Sequence, residues 1–253
     1  MSLKYILKTI YELAERYKIY KPYIVGGVPR DIYLKIPNIK TTDVDITTNS
    51  NDSLRLGILF ADKINEVFEV SEDTHVTVFA DKYDIDFSSH FISEGVKNYL
   101  SKRIDNIMLL EVYSRDFTMN TLHQDLRTGK IFDPTKMGFN DIKNRIVRTP
   151  VPPEITFRDD PRRIYRAINL AARYDFTIAP EIIKFAKENK ELFSSKNIKD
   201  KYATVKLNKA LLENEKKTIE SLKELDLFNS VPLAGRFKEL LIAKKYLADY
   251  FKN

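Results

Sequence analysis

The chain of 253 residues predicts a mixed α/β front half joined to an all-helical rear. Three observations carry that prediction. The apolar run Tyr23-Ile24-Val25 stops at Gly26-Gly27, as a short buried strand does at a tight turn. In Asp43-Val44-Asp45-Ile46 acidic and apolar residues alternate, so both carboxylates share one strand face and Val44 and Ile46 the other. From Asp160 onward the apolar spacing is almost entirely helical.

The elements follow in order. Leu3, Ile6, Leu7, Ile10, Leu13, Ala14 and Tyr17 keep helical spacing, so the chain opens on an amphipathic helix. Pro29 suits the first turn of a helix beginning at the glycine turn, where its missing N–H costs little. Residues 43–48 read as a strand and 53–63 as a helix. Segments 66–70, 74–80 and 82–87 are β-rich, with the turn signal Asp81-Lys82 before the last. Residues 93–106 are polar and basic and read as a mobile loop. The join between the two halves falls at Pro150 to Pro153, which gives domains 1–150 and 151–253.

Composition narrows the function. At 43% hydrophobic residues the chain can bury a sizeable core. It has no cysteine, which excludes disulfides, thiol catalysis and Cys-ligated zinc. No run of 18 apolar residues and no basic-then-apolar leader is present, so no membrane partner is expected and a cytoplasmic setting fits. The net charge is +6, and Glu181–Asn253 alone holds 16 Lys+Arg against 11 Asp+Glu. A basic rear suits either a polyanion partner or a solvated, lysine-rich helical surface.

Gly26-Gly27 lets backbone approach a ligand closely, and the following helix start offers N–H groups to phosphate oxygens. Arg30 can clamp a phosphate with Asp31 fixing it; alone, the pattern better describes a plain turn with a surface ion pair. Asp43 and Asp45 can hold Mg²⁺ and its bound phosphates. A calcium loop starting at Asp43 would need Gly and Glu where Thr48 and Leu54 stand. Asp84 and Asp86, alternating in Tyr83-Asp84-Ile85-Asp86-Phe87, form a second acidic pair that can add a third carboxylate or protect an edge strand. His75, His90 and His123 lack metal-ligand spacing and read as ordinary strand or surface residues.

The chain continues with Arg115-Asp116-Phe117-Thr118-Met119-Asn120-Thr121-Leu122, then Asp133-Pro134, Gly138 and Asp141-Ile142-Lys143-Asn144-Arg145-Ile146-Val147-Arg148. It goes on to Asp159-Asp160-Pro161-Arg162-Arg163-Ile164-Tyr165-Arg166-Ala167 and Ala171-Ala172-Arg173-Tyr174-Asp175-Phe176. In this order, from Tyr23 to Ile178, these segments resemble the class II tRNA nucleotidyltransferase/poly(A) polymerase family, which includes bacterial-type CCA-adding enzymes. The resemblance implies an α+β fold: a polymerase-β-like nucleotidyltransferase head followed by a helical neck and body. It implies Asp43 and Asp45 as metal ligands and catalytic residues, with Asp84 nearest the third carboxylate. Gly26, Gly27, Arg30 and Asp31 match the triphosphate-side turn. Arg115, Asp116 and Asn120 match the ribose motif, and Asp160 and Arg163 the pair that reads the incoming base. Asp160 and Arg163, three apart, are expected on one face of one helix, with Arg166 a turn further on supporting Arg163 or a phosphate.

The implied reaction is two-metal, Mg²⁺-dependent transfer from CTP and ATP to the 3′ end of an RNA, tRNA above all, without a template. A poly(A)- or A-only-adding enzyme and a non-catalytic RNA-binding relative are the other readings. An antibiotic-modifying nucleotidyltransferase shares the paired aspartates but has no use for the Arg115-to-Arg163 motifs. The sequence departs from the family pattern at Ser114 and Asp159, where Arg and Glu are usual. It departs again at Ser88-Ser89-His90, where an arginine is missing, and at 93–106, which lacks the Arg-His-Pro signature. Segment 196–211 resembles the neck helices loosely. About 75 residues follow the resemblance, so a reduced RNA grip, a different RNA, a homo-oligomer or a partner subunit is expected.

Overall fold

A computed structural model describes residues 1–36, 42–48, 52–71, 75–88 and 92–228. Ser89 and His90, Thr74 at the head of an expected strand, and the rear beyond 228 lie outside the described residues. The chain forms two compact units. The first holds Met1–Asn144 and Thr149–Val151; the second holds Arg145–Arg148 and the chain from Pro152.

The first unit is built on a seven-stranded sheet. Its strands are β1 (Tyr23–Val25), β2 (Asp43–Thr47), β3 (Phe68–Val70), β4 (Val76–Ala80), β5 (Tyr83–Phe87), β6 (His123–Asp125) and β7 (Ile131–Phe132). The spatial order is β3-β4-β5-β2-β1-β6-β7. β2 runs antiparallel to β1 and parallel to β5. Val44, Ile46, Val76, Val78, Ile85 and Phe87 are all fully buried on one face. Two helices cover that face: α1 (Leu3–Arg16) through Ile6, Ile10 and Leu13, and α3 (Asp52–Ile64) through Leu56, Phe60 and Ala61. The helical spacing of these residues makes each helix amphipathic, and burying that stripe against the sheet forms the core. Between β1 and β2 lies α2 (Gly27–Tyr33), with Pro29 in its first turn.

The expected loop at 93–106 is half helical: α4 (Glu94–Leu100) lies inside it, and α5 (Ile107–Tyr113) follows it. Ser93 caps α4 by accepting from Val96 N at 3.1 Å, and Val96 and Leu100, four apart, are buried. A side-chain cap and one buried stripe suffice for a short helix whose remaining face is polar. The unit ends with α6 (Gly138–Lys143).

The second unit holds α7 (Pro153–Asp159), α8 (Arg163–Tyr174), α9 (Pro180–Glu188) and α10 (Asp200–Glu224), the last broken by an extended residue at Asn214. It is not purely helical. β8 (Ile146–Val147) pairs in parallel with β9 (Thr177–Ile178), which draws Arg145–Arg148 into this unit. Ile164, Ala167, Ile168 and Ala171 of α8 and Ala203, Leu207 and Ala210 of α10 are buried where the two helices pack.

Helix α3 lies close on the sheet at Gly57, where a methyl group would sit 2.9 Å from Val76 Cγ1 and 3.1 Å from Phe87. The β-branched Val76 has little rotamer freedom to yield. Gly57→Ala is expected to destabilise the first unit by about 1–3 kcal/mol, read as a lower urea midpoint at unchanged slope.

Candidate functional site

Registered partners in neighbouring strands point to the same side of a sheet. Asp43 faces Asp84, and Asp45 faces Asp86, across the β2–β5 pairing. All four carboxylates therefore lie on the face opposite the apolar core. Asp43 is exposed, and Asp45 and Asp84 are half-buried. Asp86 differs in its partners: it accepts from Thr77 Oγ1 at 2.6 Å and meets His75 Nε2 at 3.5 Å. Burial opposes its ionisation, but the His75 and Thr77 hydrogen bonds outweigh that and hold its carboxyl below the usual range. Asp86 is thus tied to the neighbouring strand, whereas Asp84 lies beside the exposed Asp43.

Gly26 stands directly against this face. Its φ of 74° and ψ of −127° suit glycine, and a Cβ there would lie 2.5 Å from Asp45 Oδ2 and 3.7 Å from Arg115 Nη1. The missing side chain lets the Asp45 carboxylate pack directly against this backbone, with the Arg115 guanidinium close by; any larger residue would collide with Asp45.

The next turn of chain is locked from within. Arg30 is 5% exposed and Asp31 3%. Arg30 Nε donates to Asp31 Oδ1 at 2.8 Å, and Arg30 Nη1 donates to Asn120 Oδ1 at 2.5 Å. Asn120 Nδ2 donates in turn to Asp116 Oδ1 at 2.9 Å, which also accepts from Phe117 N. The Arg30–Asp31 pair is therefore buried rather than a surface ion pair, and the Arg30 guanidinium joins the glycine turn to the Arg115–Asn120 motif. Thr118, inside a 3-10 turn over Thr118–Asn120, donates to the buried Asp141 at 2.7 Å. Asp133 accepts from Thr135 N, Lys136 N and Phe139 N. The Asp133, Gly138 and Asp141 signature is a brace behind that turn.

Arg115 is half-buried, with Nη2 3.9 Å from Glu111 Oε1 one turn earlier on α5. Glu111, 5% exposed, also accepts from Thr47 Oγ1 of β2 at 3.1 Å. Sequence reasoning missed Glu111; its i, i+4 spacing to Arg115 was the available signal. His123 is not a surface residue. It is 1% exposed, packed against Tyr23 and Phe132, with Nδ1 3.0 Å from Thr121 O. Burial, and then the Arg115 charge, lower its pKa to about 4.

In the second unit, Asp160 and Arg163 do not share a helix. Asp160 caps the end of α7 with φ −148° and ψ 95°, and Arg163 opens α8. Pro161 explains the break, because its ring disfavours the helical conformation in the residue before it. Asp160 Oδ1 accepts from Arg162 Nε at 2.7 Å and from Arg162 N at 3.0 Å. Arg163 is buried and Arg166 exposed.

The strand order, with the paired aspartates on a central strand, defines a polymerase-β-like nucleotidyltransferase head. The chain belongs to the family of the poly A polymerase head domain, whose profile matches residues 22–148. It is 45% identical over 69 residues, 27% of this chain and 13% of the relative, to the mitochondrial CCA tRNA nucleotidyltransferase of Saccharomyces cerevisiae. It is 33% identical over 206 residues to the multifunctional CCA protein of Neisseria gonorrhoeae, covering 80% of this chain and 47% of that one. The crystal structure of the Bacillus stearothermophilus CCA-adding enzyme in complex with CTP superposes with a TM-score of 0.73 at 24% identity, covering 96% of this chain and 58% of that one. That likeness speaks for the fold. The chain spans about half the length of several curated relatives it matches.

Two outcomes follow from the buried groups. Asn120→Ala leaves Arg30 and Asp116 each short of a buried partner and is expected to cost about 2–4 kcal/mol in urea unfolding. His123 titrates at 6.5 when unfolded and at about 4 when folded, so between those values the unfolded chain takes up the proton first. Stability is expected to fall by roughly 3 kcal/mol as pH drops through that window. Comparing unfolding of wild type and His123→Gln at each pH isolates this slope, which the variant should lack.

Proposed function

We propose that this chain supplies the catalytic head (1–150) and helical nucleotide-recognition part (151–253) of a template-independent RNA nucleotidyltransferase. It adds C and/or A to the 3′ end of tRNA, from CTP and ATP. One observation carries the reading. Arg30 to Asn120 brings the glycine turn and the Arg115–Asn120 motif together, and Gly26, having no Cβ, lets Asp45 and Arg115 lie close against that turn.

The residues fit Mg²⁺. Among the described residues no group of three or more His, Cys, Asp or Glu is arranged to hold a metal by itself. Mg²⁺ in such sites is bound by one or two carboxylates together with substrate phosphates rather than by an all-protein cage. Asp43 and Asp45 supply hard oxygen donors of that kind on one strand face. When bound, the ion offsets charge on the triphosphate and on the departing pyrophosphate.

The chain's own groups do the rest. The Gly26–Gly27 turn admits the triphosphate close to backbone, and Arg115 contributes positive charge beside it. Glu111 sets the direction of Arg115. The RNA 3′-hydroxyl oxygen forms a bond to the α-phosphorus, and the bond from that phosphorus to the bridging oxygen of pyrophosphate breaks. Asp84 receives the hydroxyl proton. Asp116 and Asn120, rigid in their shared network, shape the ribose site. Asp160 can accept from an exocyclic amine, and Arg163 can donate to ring or carbonyl acceptors, so the pair suits C and A. Catalysis of this kind is mostly positioning and charge stabilisation, which explains why the buried network is so extensive. A cytoplasmic setting belongs to the same proposal. Among the described residues no helix is long and apolar enough to cross a membrane.

The test supplies tRNA lacking its CCA end with labelled CTP and ATP, separately and together, in Mg²⁺. Incorporation limited to the missing residues is expected; long A tracts without CTP use would point to a poly(A)-adding enzyme. Asp43→Ala should lower the rate by a factor on the order of 10² or more with an unchanged melting curve. No incorporation by the wild-type chain, or full activity in Asp43→Ala, would overturn the reading.

A further inference from the structure

The second unit sets two cations, Arg162 and Lys206, over one aromatic ring, with Arg166 and Lys209 acting on Lys206 and Asp160 bound to Arg162. Tyr202 lies in the first turn of α10. The Arg162 guanidinium carbon is 5.7 Å from the centre of its ring, and Lys206 Nζ is 5.6 Å from the same centre. Tyr202 and Lys206 are four apart on α10 and so share a face. Arg166 stands one turn along α8 from Arg162, and Lys209 follows Lys206 on α10; both are exposed. The two helices pack against one another.

These charges act on each other. Burial, then the charges of Arg166 and Lys209, lower the pKa of Lys206. Asp160 is bound to Arg162 and holds that guanidinium charged. Gathering like charges costs free energy in the isolated chain, and the packing of α8 on α10 does not require it, because the helix contact is made by alanine, leucine and isoleucine. Tyr202 offsets part of the repulsion: a ring face attracts cations, which keeps Arg162 and Lys206 in position. Such a preorganised cluster gains most from a partner carrying several negative charges at fixed spacing, and a nucleic-acid backbone is that partner.

Resting on the RNA reading above, we propose that the α8–α10 surface formed by Arg162 and Lys206 over Tyr202, extended by Arg166 and Lys209, binds the phosphodiester backbone of the RNA substrate. Lys206 and Lys209 contact phosphates; Tyr202 is a positioning residue that holds Arg162 and Lys206 ready. The contact is independent of the nucleotide being added and does not read sequence.

Equilibrium binding of fluorescently labelled tRNA lacking its CCA end, without nucleoside triphosphate, tests this with the full chain. Titrations span roughly 50 to 200 mM salt. The double variant Lys206→Glu, Lys209→Glu is expected to bind about tenfold more weakly and to lower the slope of log K against log salt by about 1.5. Tyr202→Ala should weaken binding and Tyr202→Phe should restore it, since the ring and not the hydroxyl orders the cations. In steady state the KM for RNA should rise while the KM for CTP stays within about twofold. If the double variant melts early, Lys209→Glu alone at its exposed position carries the test. Wild-type affinity and salt slope in these variants would overturn the proposal. A wild-type chain that incorporates nothing, yet loses salt-dependent RNA binding in the variants, would leave the surface standing and sink the catalytic reading alone.

Discussion

The hydrogen bond from Arg30 to Asn120 is the interaction on which the rest of the candidate site depends. A guanidinium that is 5% exposed is tolerated only when its donors meet acceptors with good geometry. Asp31 and Asn120 provide them, and Asn120 is oriented by Asp116. Because the bond spans ninety residues of chain, it determines where the glycine turn stands relative to the Arg115 segment. The Thr118–Asp141 contact then braces the turn carrying Asn120. Replacing any one member removes a hydrogen bond from another in a low dielectric, and satisfied buried networks of this type are rigid.

The sheet divides labour by parity. Along β2, Val44 and Ile46 are fully buried, while Asp43 and Asp45 are presented on the other side. The same parity in β5 buries Ile85 and Phe87 and places Asp84 and Asp86 beside the first pair. The apolar half of each strand, held between α1 and α3, makes the acidic half a fixed platform. Gly26 completes it by letting the Asp45 carboxylate pack where a Cβ would collide with it. Helix α5 adds a further constraint: Glu111 reaches back to Thr47 of β2 and forward to Arg115, coupling a cationic side chain to the acidic strand.

Much of this was legible along the chain because it follows from short-range periodicity. The stripe Ile6, Ile10, Leu13 marks α1, and the alternation at 43–46 marks β2. The cases that misled are those in which a distant partner decides. The polar composition of 93–106 suggests a loop, but the Ser93 cap and the burial of Val96 and Leu100 make most of it α4 and its flanking turns. Counting three residues from Asp160 to Arg163 suggests one helix face, while Pro161 ends α7 between them. His123 is the strand residue expected, but that Tyr23 and Phe132 bury it is decided by packing.

By itself the sequence determined the kind of fold, the order of its motifs and the residue types available for chemistry, since periodicity, turn residues and motif spacing are local properties of the chain. Only the tertiary structure decided which of those residues face open space and which are spent on one another. Asp43 and Asp86 are both acidic strand residues, yet one is exposed and the other is held by Thr77 and His75. Burial and hydrogen-bond partners come from segments far apart in the chain. The roles of Arg30, Glu111, His123 and Tyr202 therefore emerge only when those segments pack.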